Sequence, residues 1–208
     1  MYEESTKVAF PLLLEDGGHA QELCAVGVRK KMIAGLVPIK IYAFGIYADC
    51  NALKEQVKGK VGRVGDGAKI PNEAMYNVAI GGDLHMCIRL EIVFSSLSMR
   101  RVKKIFNDNL RASIKKISGG DRATDDLLER VLGEANEDTK LPPGSVICIT
   151  KHPAYKLQTK VKGEVVSEVE SEQLCKAFFN MYLGDDPLDP RAKTNFGNFL
   201  ASNIIKDN

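Results

Sequence analysis

One arginine lies within an apolar strand pattern, where its charge predicts a bound anion. Arg29 falls inside residues 23–32, and the residues expected on its own face of a sheet are largely apolar. A charge covered by apolar groups is costly unless an anion pairs with it. The guanidinium fork suits a carboxylate, above all beside a hydroxyl that also donates. Arg29 therefore indicates an apolar cleft with one anionic anchor, and the alternative is a solvent-facing arginine.

A β-hairpin places a tyrosine beside this arginine. Residues 23–32 are followed, after Gly35, by residues 37–47, which are rich in β-branched and aromatic side chains. If the turn is centred between Gly35 and Leu36, Arg29 faces Tyr42, and cross-strand partners project to the same face of a sheet. A slip of one residue would separate the two side chains. We therefore predict that Arg29 and Tyr42 lie side by side, with Phe44 on the same face.

The clearest helix is predicted over residues 98–118. Ser98 can act as the N-cap, and apolar residues recur at helical spacing over five turns. The other face carries seven Lys and Arg side chains against Asp108 alone. Such a basic amphipathic helix indicates either a solvated surface that packs its apolar stripe on a sheet, or a surface that binds a membrane or phosphates.

The remaining pattern predicts an α+β fold, in which an antiparallel sheet carries a layer of helices on one face. Strands and helices do not alternate strictly, as they would around a parallel sheet. A Gly-rich stretch over 58–67 predicts a flexible connection, since it lacks the phosphate-loop pattern. We expect one domain over residues 1–208. Further strands are predicted at 8–14, 86–94, 145–150, 155–161 and 164–169, and further helices at 49–57, 124–132, 171–183 and from Pro190 with Asp189 as N-cap.

Composition excludes several classes of protein. The chain has 208 residues, 44% of them hydrophobic, which is enough for one sizeable core. Its net charge of +2 gives no overall reason to bind nucleic acid. The longest apolar run is eight residues, far below the ~20 that span a bilayer, and the first residues lack the apolar segment of a secretory signal. No integral membrane segment is expected.

Metal and nucleophile patterns are weak. The five cysteines are scattered and form no C-x-x-C, which disfavours a disulfide framework or zinc ribbon and fits a reducing compartment. His19, His85 and His152 share no ligand spacing and are predicted to be surface or loop residues. Cys24 or Cys87 is a conceivable nucleophile, although buried structural thiols are commoner in strands. No metal, cofactor or catalytic residue is therefore predicted.

Several motifs resemble the plant chalcone isomerase superfamily. Gly27-Val28-Arg29 followed by residues 41–47 (I-Y-A-F-G-I-Y) is similar to the G-x-R and F-T-A-I-G-V-Y motifs of its members. The resemblance covers about residues 7 to 205. Weaker similarities occur in the same order at residues 57–60, 87–89, 142–146, 183–184 and 190.

The resemblance implies that isomerase activity is absent. True isomerases of the superfamily close a chalcone to a flavanone, and Arg29 and Lys104 match two of their site residues. The other positions differ, because this chain has Tyr42, Arg101, Asp108 and Met181 where the family has Thr, Tyr, Asn and Thr. A chalcone isomerase and a membrane-binding protein that uses the basic helix remain the alternatives.

The Arg and Tyr pair resembles the non-catalytic plastid fatty-acid-binding branch of the superfamily. That branch implies a carboxylate held by Arg29 and Tyr42, and an acyl tail between the sheet and the helices. The implied ligand is a saturated long-chain fatty acid, the implied location is the chloroplast stroma, and the implied role is in plastid fatty-acid metabolism. The oligomeric state is not implied. Candidate tail contacts are Phe44, Val102, Ile105, Phe106, Asn109 and Ser113.

Overall fold

An antiparallel sheet with helices organises the chain. The computed structural model describes residues 1–33, 37–61, 72–95, 97–118, 123–133 and 135–205. Within them, seven strands form one sheet in the order β1-β2-β3-β4-β7-β8-β9, and the short β5 and β6 pair with each other. In chain order the elements are β1 (Leu13–Asp16), β2 (His19–Ile33), β3 (Val37–Ala48), α1 (Cys50–Val61), α2 (Asn72–Gly81), β4 (Met86–Ile92), β5 (Leu97–Ser98), α3 (Met99–Ser118), α4 (Ala123–Val131), β6 (Lys140–Leu141), β7 (Val146–His152), β8 (Lys156–Val161), β9 (Glu164–Glu170), α5 (Glu172–Leu183) and α6 (Pro190–Ile205).

The two faces of the sheet bury different groups. Alternate residues of β3, such as Tyr42 and Phe44, belong to the large core shared with the helices. The other alternating residues of β3, such as Ala43 and Tyr47, pack on the opposite face with Val8 and Phe10 of the N-terminal segment. The predicted α+β fold, an antiparallel sheet with helices on one face, is confirmed.

The hairpin of β2 and β3 has the predicted pairing at its functional position. Arg29 is directly opposite Tyr42, and the register shifts by one residue between this pair and the pair Lys30 and Lys40. The shift marks a β-bulge, which leaves Ile41 as the additional residue on β3. The turn at residues 34–36 lies outside the described residues.

Two predicted boundaries are wrong, and one helix was not predicted. The predicted flexible connection over 58–67 begins too early, since residues 58–61 continue α1, and residues 62–71 lie outside the described part. Lys58 and Lys60 in the last turn favour this continuation because they complement the helix dipole. The first strand begins at Leu13 instead of residue 8, beyond Pro11. The sequence pattern also missed α2.

Contacts with a distant strand explain why α2 was missed. Lys151 of β7 is fully buried, and its Nζ donates to the carbonyl oxygens of Ala79 at 3.0 Å and Gly82 at 2.7 Å. These carbonyls lie at the C-terminal end of α2, where a helix leaves acceptors without partners of its own. The amino group also lies 4.8 Å from the ring centroid of Phe179. Tertiary packing therefore completes this short helix.

We expect the buried amine of Lys151 to make the free energy of unfolding depend on pH in the alkaline range. Burial lowers the pKa of Lys151 from 10.5 to about 8, so between these values the folded chain has released a proton that the unfolded chain still binds. Unfolding then takes up a proton, and the free energy of unfolding rises with pH across this window, by about 3 kcal/mol in total. Urea unfolding at several pH values measures the free energy of unfolding of the wild type and of Lys151→Met, which lacks the amine. If the difference between the two free energies did not change with pH, the prediction would be contradicted.

Candidate ligand-binding site

Asp189 fixes the strand that carries Arg29. Its Oδ1 accepts from the backbone N–H of Arg191 at 3.0 Å, which confirms the predicted N-cap of α6. Its Oδ2 accepts from the backbone N–H of Val28 at 3.0 Å, so the same carboxylate holds an unpaired edge of β2. Gly27 lies at this contact, where an added Cβ would stand 2.5 Å from the ring of Phe44. The helix start and the strand are thus joined directly beside Arg29.

Arg29 is half-buried and lines an open cleft. The structure gives its guanidinium no hydrogen bond and no ion pair among the described residues. The cleft, which we call the Arg29 cleft, has a volume of about 370 Å³, within the range of small-molecule sites. An arginine without a partner at such a cleft is available for an anion. The cleft is lined by Arg29, by Asn109, Ala112, Ser113, Lys116 and Ile117 of α3, by Asn180 and Met181 of α5, and by residues 185–188.

Two buried phenols lie close to this arginine. Tyr42 of β3 is 3% exposed and Tyr182 of α5 is 1% exposed, and their hydroxyl oxygens are 3.5 Å apart. Burial raises the pKa of both phenols, and the charge of Arg29 acts on both in the opposite direction. Both phenols therefore keep their protons at neutral pH and present O–H donors. Tyr182 was missed by sequence reasoning, because its position in α5 marks it only as a core residue.

The predicted tail contacts divide into two groups. Val102, Ile105 and Phe106 line an apolar crevice beside Tyr42, between the sheet and α3, which we call the α3 crevice. Its free volume is about 10 Å³, room for about one water molecule. Asn109 and Ser113 instead line the Arg29 cleft. The end of the predicted site that contains Arg29 is therefore open in this structure, whereas the apolar end beside α3 is closed.

Two of the predicted contacts have structural partners. The Ser113 hydroxyl donates to the carbonyl of Ala177 at 2.7 Å and accepts from the side chain of Asn180, which ties α3 to α5. Phe44 is not among the residues that line the Arg29 cleft or the α3 crevice. Its ring packs against Tyr182 with centroids 5.0 Å apart. Phe44 therefore helps to position the ring of Tyr182 and does not line the predicted site.

The basic helix uses its apolar stripe in the core. Val102, Phe106 and Leu110 are buried against the sheet and α5. On the polar face, Arg100 forms ion pairs with Glu137 at 3.0 Å and Asp138 at 3.2 Å. Core packing with a solvated polar face is thus the structural role of α3.

The three histidines lie together, and two of them match the predicted surface or loop positions, because His19 is exposed and His85 lies in the loop before β4. The rings of His19 and His85 stack with centroids 4.0 Å apart, and His152 lies 5.1 Å from His85. His85 is buried, which lowers its pKa. The sheet brings the three together although their sequence spacing gives no signal. Among the residues that the structure describes, no group of His, Cys, Asp and Glu is arranged to hold a metal ion.

The two thiols considered as nucleophiles are buried. The Sγ of Cys24 lies 3.7 Å from that of Cys50, and burial raises the pKa of Cys24 well above its usual value. The neighbouring Cys148 and burial together raise the pKa of Cys87. Neither thiol is poised to form a thiolate.

Comparison with known proteins places this chain in a family. A family model described as chalcone isomerase-like matches residues 71–196. Chalcone isomerase-like protein 1 of Humulus lupulus is 42% identical over 202 residues, which are 96% of this chain and 91% of that protein. This chain belongs to the chalcone isomerase-like family.

Other relatives of this chalcone isomerase-like chain are named for fatty-acid binding. Fatty-acid-binding protein 1 of Arabidopsis thaliana is 33% identical over 200 residues, covering 96% of this chain and 70% of that protein. The crystal structure of an Arabidopsis thaliana fatty-acid binding protein superposes with a TM-score of 0.87 at 31% identity. That superposition covers 99% of this chain and 98% of the other.

Three positions matched to isomerase site residues lie away from the cleft. Arg101, Lys104 and Asp108 of α3 are exposed, and they share one solvent face of the helix. Met181, by contrast, lines the Arg29 cleft. In this chalcone isomerase-like chain the polar side chains that line the cleft include Arg29, Asn109, Ser113 and Asn180, and the phenols of Tyr42 and Tyr182 lie close to Arg29 without lining the cleft.

Proposed function

We propose that this protein binds a long-chain fatty acid without catalysis, and that Arg29 and Tyr42 hold the carboxylate. The observation that carries the proposal is Arg29, which has no hydrogen bond or ion pair among the described residues and lies beside two protonated phenols at a cleft lined by α3 and α5. A carboxylate accepts hydrogen bonds from all three groups. The relatives named for fatty-acid binding support the same ligand class.

The acyl tail belongs along the inner face of α3. The Arg29 cleft and the α3 crevice are lined by successive turns of this helix, through Asn109 in the first and Phe106 in the second. Each methylene that leaves water contributes about 0.8 kcal/mol. A tail therefore gains by entering the crevice once α3 has moved off the sheet.

The charged residues that line the cleft are Arg29 and Lys116, together with Asp185 and Asp186. Asp186 lies at the rim, where its ion pair with Lys116 at 2.9 Å offsets its charge. That lysine also lowers the pKa of Asp186, so the pair persists at neutral pH. Because Lys116 is paired with Asp186, we assign the ligand carboxylate to Arg29.

A titration of the wild type with saturated fatty acids of increasing chain length tests the proposal. Isothermal calorimetry and native mass spectrometry should both show one fatty acid bound per chain, with affinity that rises with chain length. The matching fatty alcohols should bind more weakly because they lack the charge. Equal affinity for acid and alcohol, or no binding of either, would contradict it.

We expect Tyr42→Phe to weaken binding about tenfold, since it removes one hydrogen bond to a charged group. The fold should be retained, because the ring of Tyr42 still fills its place in the core. Calorimetry with one saturated fatty acid measures the change. The matched control is Tyr76→Phe, whose hydroxyl donates to the carbonyl of Lys193 at 3.1 Å, away from the cleft. If the two variants lost affinity for the fatty acid equally, Tyr42 would have no specific role in binding it.

We further propose that the protein acts in plastid fatty-acid metabolism, in the chloroplast stroma. This location is supported by the resemblance to the plastid fatty-acid-binding branch. Microscopy of a fluorescent fusion of the complete coding sequence in leaf cells tests it, and a signal confined to the cytosol would contradict it.

A further inference from the structure

The hairpin of β2 and β3 extends beyond the rest of the sheet. Strand β4 pairs with β3 only as far as Tyr42 opposite Ile92, and β1 pairs with β2 no further than Glu22. From Lys30 and Lys40 to the end of the hairpin, the described pairing is between β2 and β3 alone. Four residues of extended chain span roughly 13 Å. Within the described residues, the part of the hairpin beyond Tyr42 is therefore a projection two strands wide.

Apolar side chains at the end of this projection face solvent. Met32 is 53% exposed and Val37 is 59% exposed, although they lie in adjacent residue pairs of a regular hairpin. Residues 32–38 contain no charged residue. Apolar side chains that project into solvent from a strand pair are unfavourable unless a partner or a lipid surface covers them. We call Met32 and Val37 the apolar tip.

Lysines border the apolar tip. Lys30 and Lys31 are exposed, and neither has a hydrogen bond or ion pair within the described chain. Lys40, on the opposite strand, donates to the backbone carbonyl of Ser5. The surface pocket that Lys30 lines also contains Glu3, Glu4 and Asp189. Glu3 accepts from Thr6, and Asp189 accepts from backbone N–H groups, so neither carboxylate pairs with Lys30 or Lys31 among the described residues.

We propose that this hairpin docks the protein on an anionic lipid bilayer, with Met32 and Val37 at the acyl boundary and Lys30 and Lys31 at the headgroups. Apolar groups that enter a bilayer surface by about 5 to 10 Å, bordered by cations, form the usual interfacial anchor. The projection is long enough to reach that depth. Arg29 adjoins Lys30 in the chain, so docking brings the Arg29 cleft to the lipid surface. The inference rests on the hairpin geometry and does not require the proposed fatty-acid ligand.

A bilayer fits this surface better than it fits α3. Most apolar residues beside the cations of α3, such as Val102 and Phe106, are buried, although Ile117 is 42% exposed, and Arg100 is already paired with acidic side chains. At the hairpin the apolar and cationic groups are both exposed. Each lysine near an anionic surface strengthens binding by roughly fivefold.

Co-sedimentation of the full chain with vesicles tests the docking. Vesicles of phosphatidylcholine with phosphatidylglycerol, free of fatty acid, should bind the wild type, and vesicles of phosphatidylcholine alone should bind it at least about tenfold more weakly. The double variant Lys30→Glu with Lys31→Glu should lose at least about tenfold in binding to the anionic vesicles. The double variant Met32→Ser with Val37→Ser should also lose binding.

Matched variants identify the surface. Lys104→Glu with Lys115→Glu makes the same charge change on α3, and Leu13→Ser with Val165→Ser removes exposed apolar groups from β1 and β9. Both should bind anionic vesicles as the wild type does. The proposal is overturned if the wild type fails to sediment with either vesicle, or if the α3 variant loses binding while the hairpin variants keep it. Calorimetry with a fatty acid in the absence of vesicles should give wild-type affinity for every variant, which separates docking from ligand binding.

Discussion

Replacing Arg29 with alanine is expected to weaken fatty-acid binding roughly 10- to 100-fold. The guanidinium has no partner among the described residues, so its hydrogen bonds are available to the ligand. Hydrogen bonds to charged groups contribute about 1.5 to 3 kcal/mol, which corresponds to this range. Calorimetry of both proteins with one saturated fatty acid measures the change.

The ligand itself provides a second comparison. The methyl ester of the same acid has the same tail and no charge, so the wild type should prefer the acid and Arg29→Ala should bind the two alike. Arg191→Ala removes an exposed arginine at the start of α6 and should leave the affinity unchanged. If Arg29→Ala kept the wild-type preference for the acid, another group would hold the carboxylate.

Phe106→Ala is expected to lower the free energy of unfolding by about 3 to 5 kcal/mol and to make the protein respond more strongly to a fatty acid. The ring is buried in the α3 crevice and stacks on Phe178 with centroids 6.2 Å apart, so its removal leaves a cavity. An acyl tail can fill that cavity without first moving α3 off the sheet. Urea unfolding with and without a saturating fatty acid measures both effects, since a ligand of the folded state adds stability.

Phe196→Ala is the matched control for this variant. Phe196 is also fully buried, but it lies on α6 and packs against Tyr76 instead of lining the crevice. We expect a similar loss of stability and a ligand response no larger than that of the wild type. Equal ligand responses of the two variants would show that the tail does not use the α3 crevice.

Sequence patterns predicted the parts of the site that lie within the β2–β3 hairpin and within α3. The alternation in β2 and β3 specified which residues share a face, and the bulge at Ile41 kept Arg29 opposite Tyr42 although the pairing near the turn is shifted by one residue. The periodicity of α3 likewise identified Val102 and Phe106 as inward residues. These features depend on neighbours along the chain, so a pattern can reveal them.

Features made by distant segments were beyond such patterns. Tyr182 reaches Tyr42 across 140 positions, and Asp189 reaches Val28 across 161. The end of α2 is completed by a lysine of β7. Each depends on how α2, α5 and α6 pack on the sheet, which no local repeat encodes. The closed state of the α3 crevice likewise depends on side-chain packing between separate elements.

The small free volume of the α3 crevice has a kinetic consequence. A space of about 10 Å³ excludes an acyl tail, so in the proposed mode of binding α3 must move off the sheet before a tail enters. The apparent dissociation constant is then the intrinsic one divided by the fraction of molecules that are open. In stopped-flow mixing, the rate of uptake should level off as the fatty-acid concentration rises, and the plateau reports the opening rate of α3. In the proposed mode of binding, Arg29 selects the ligand by its carboxylate, while the contact between α3 and the sheet sets how fast ligands exchange.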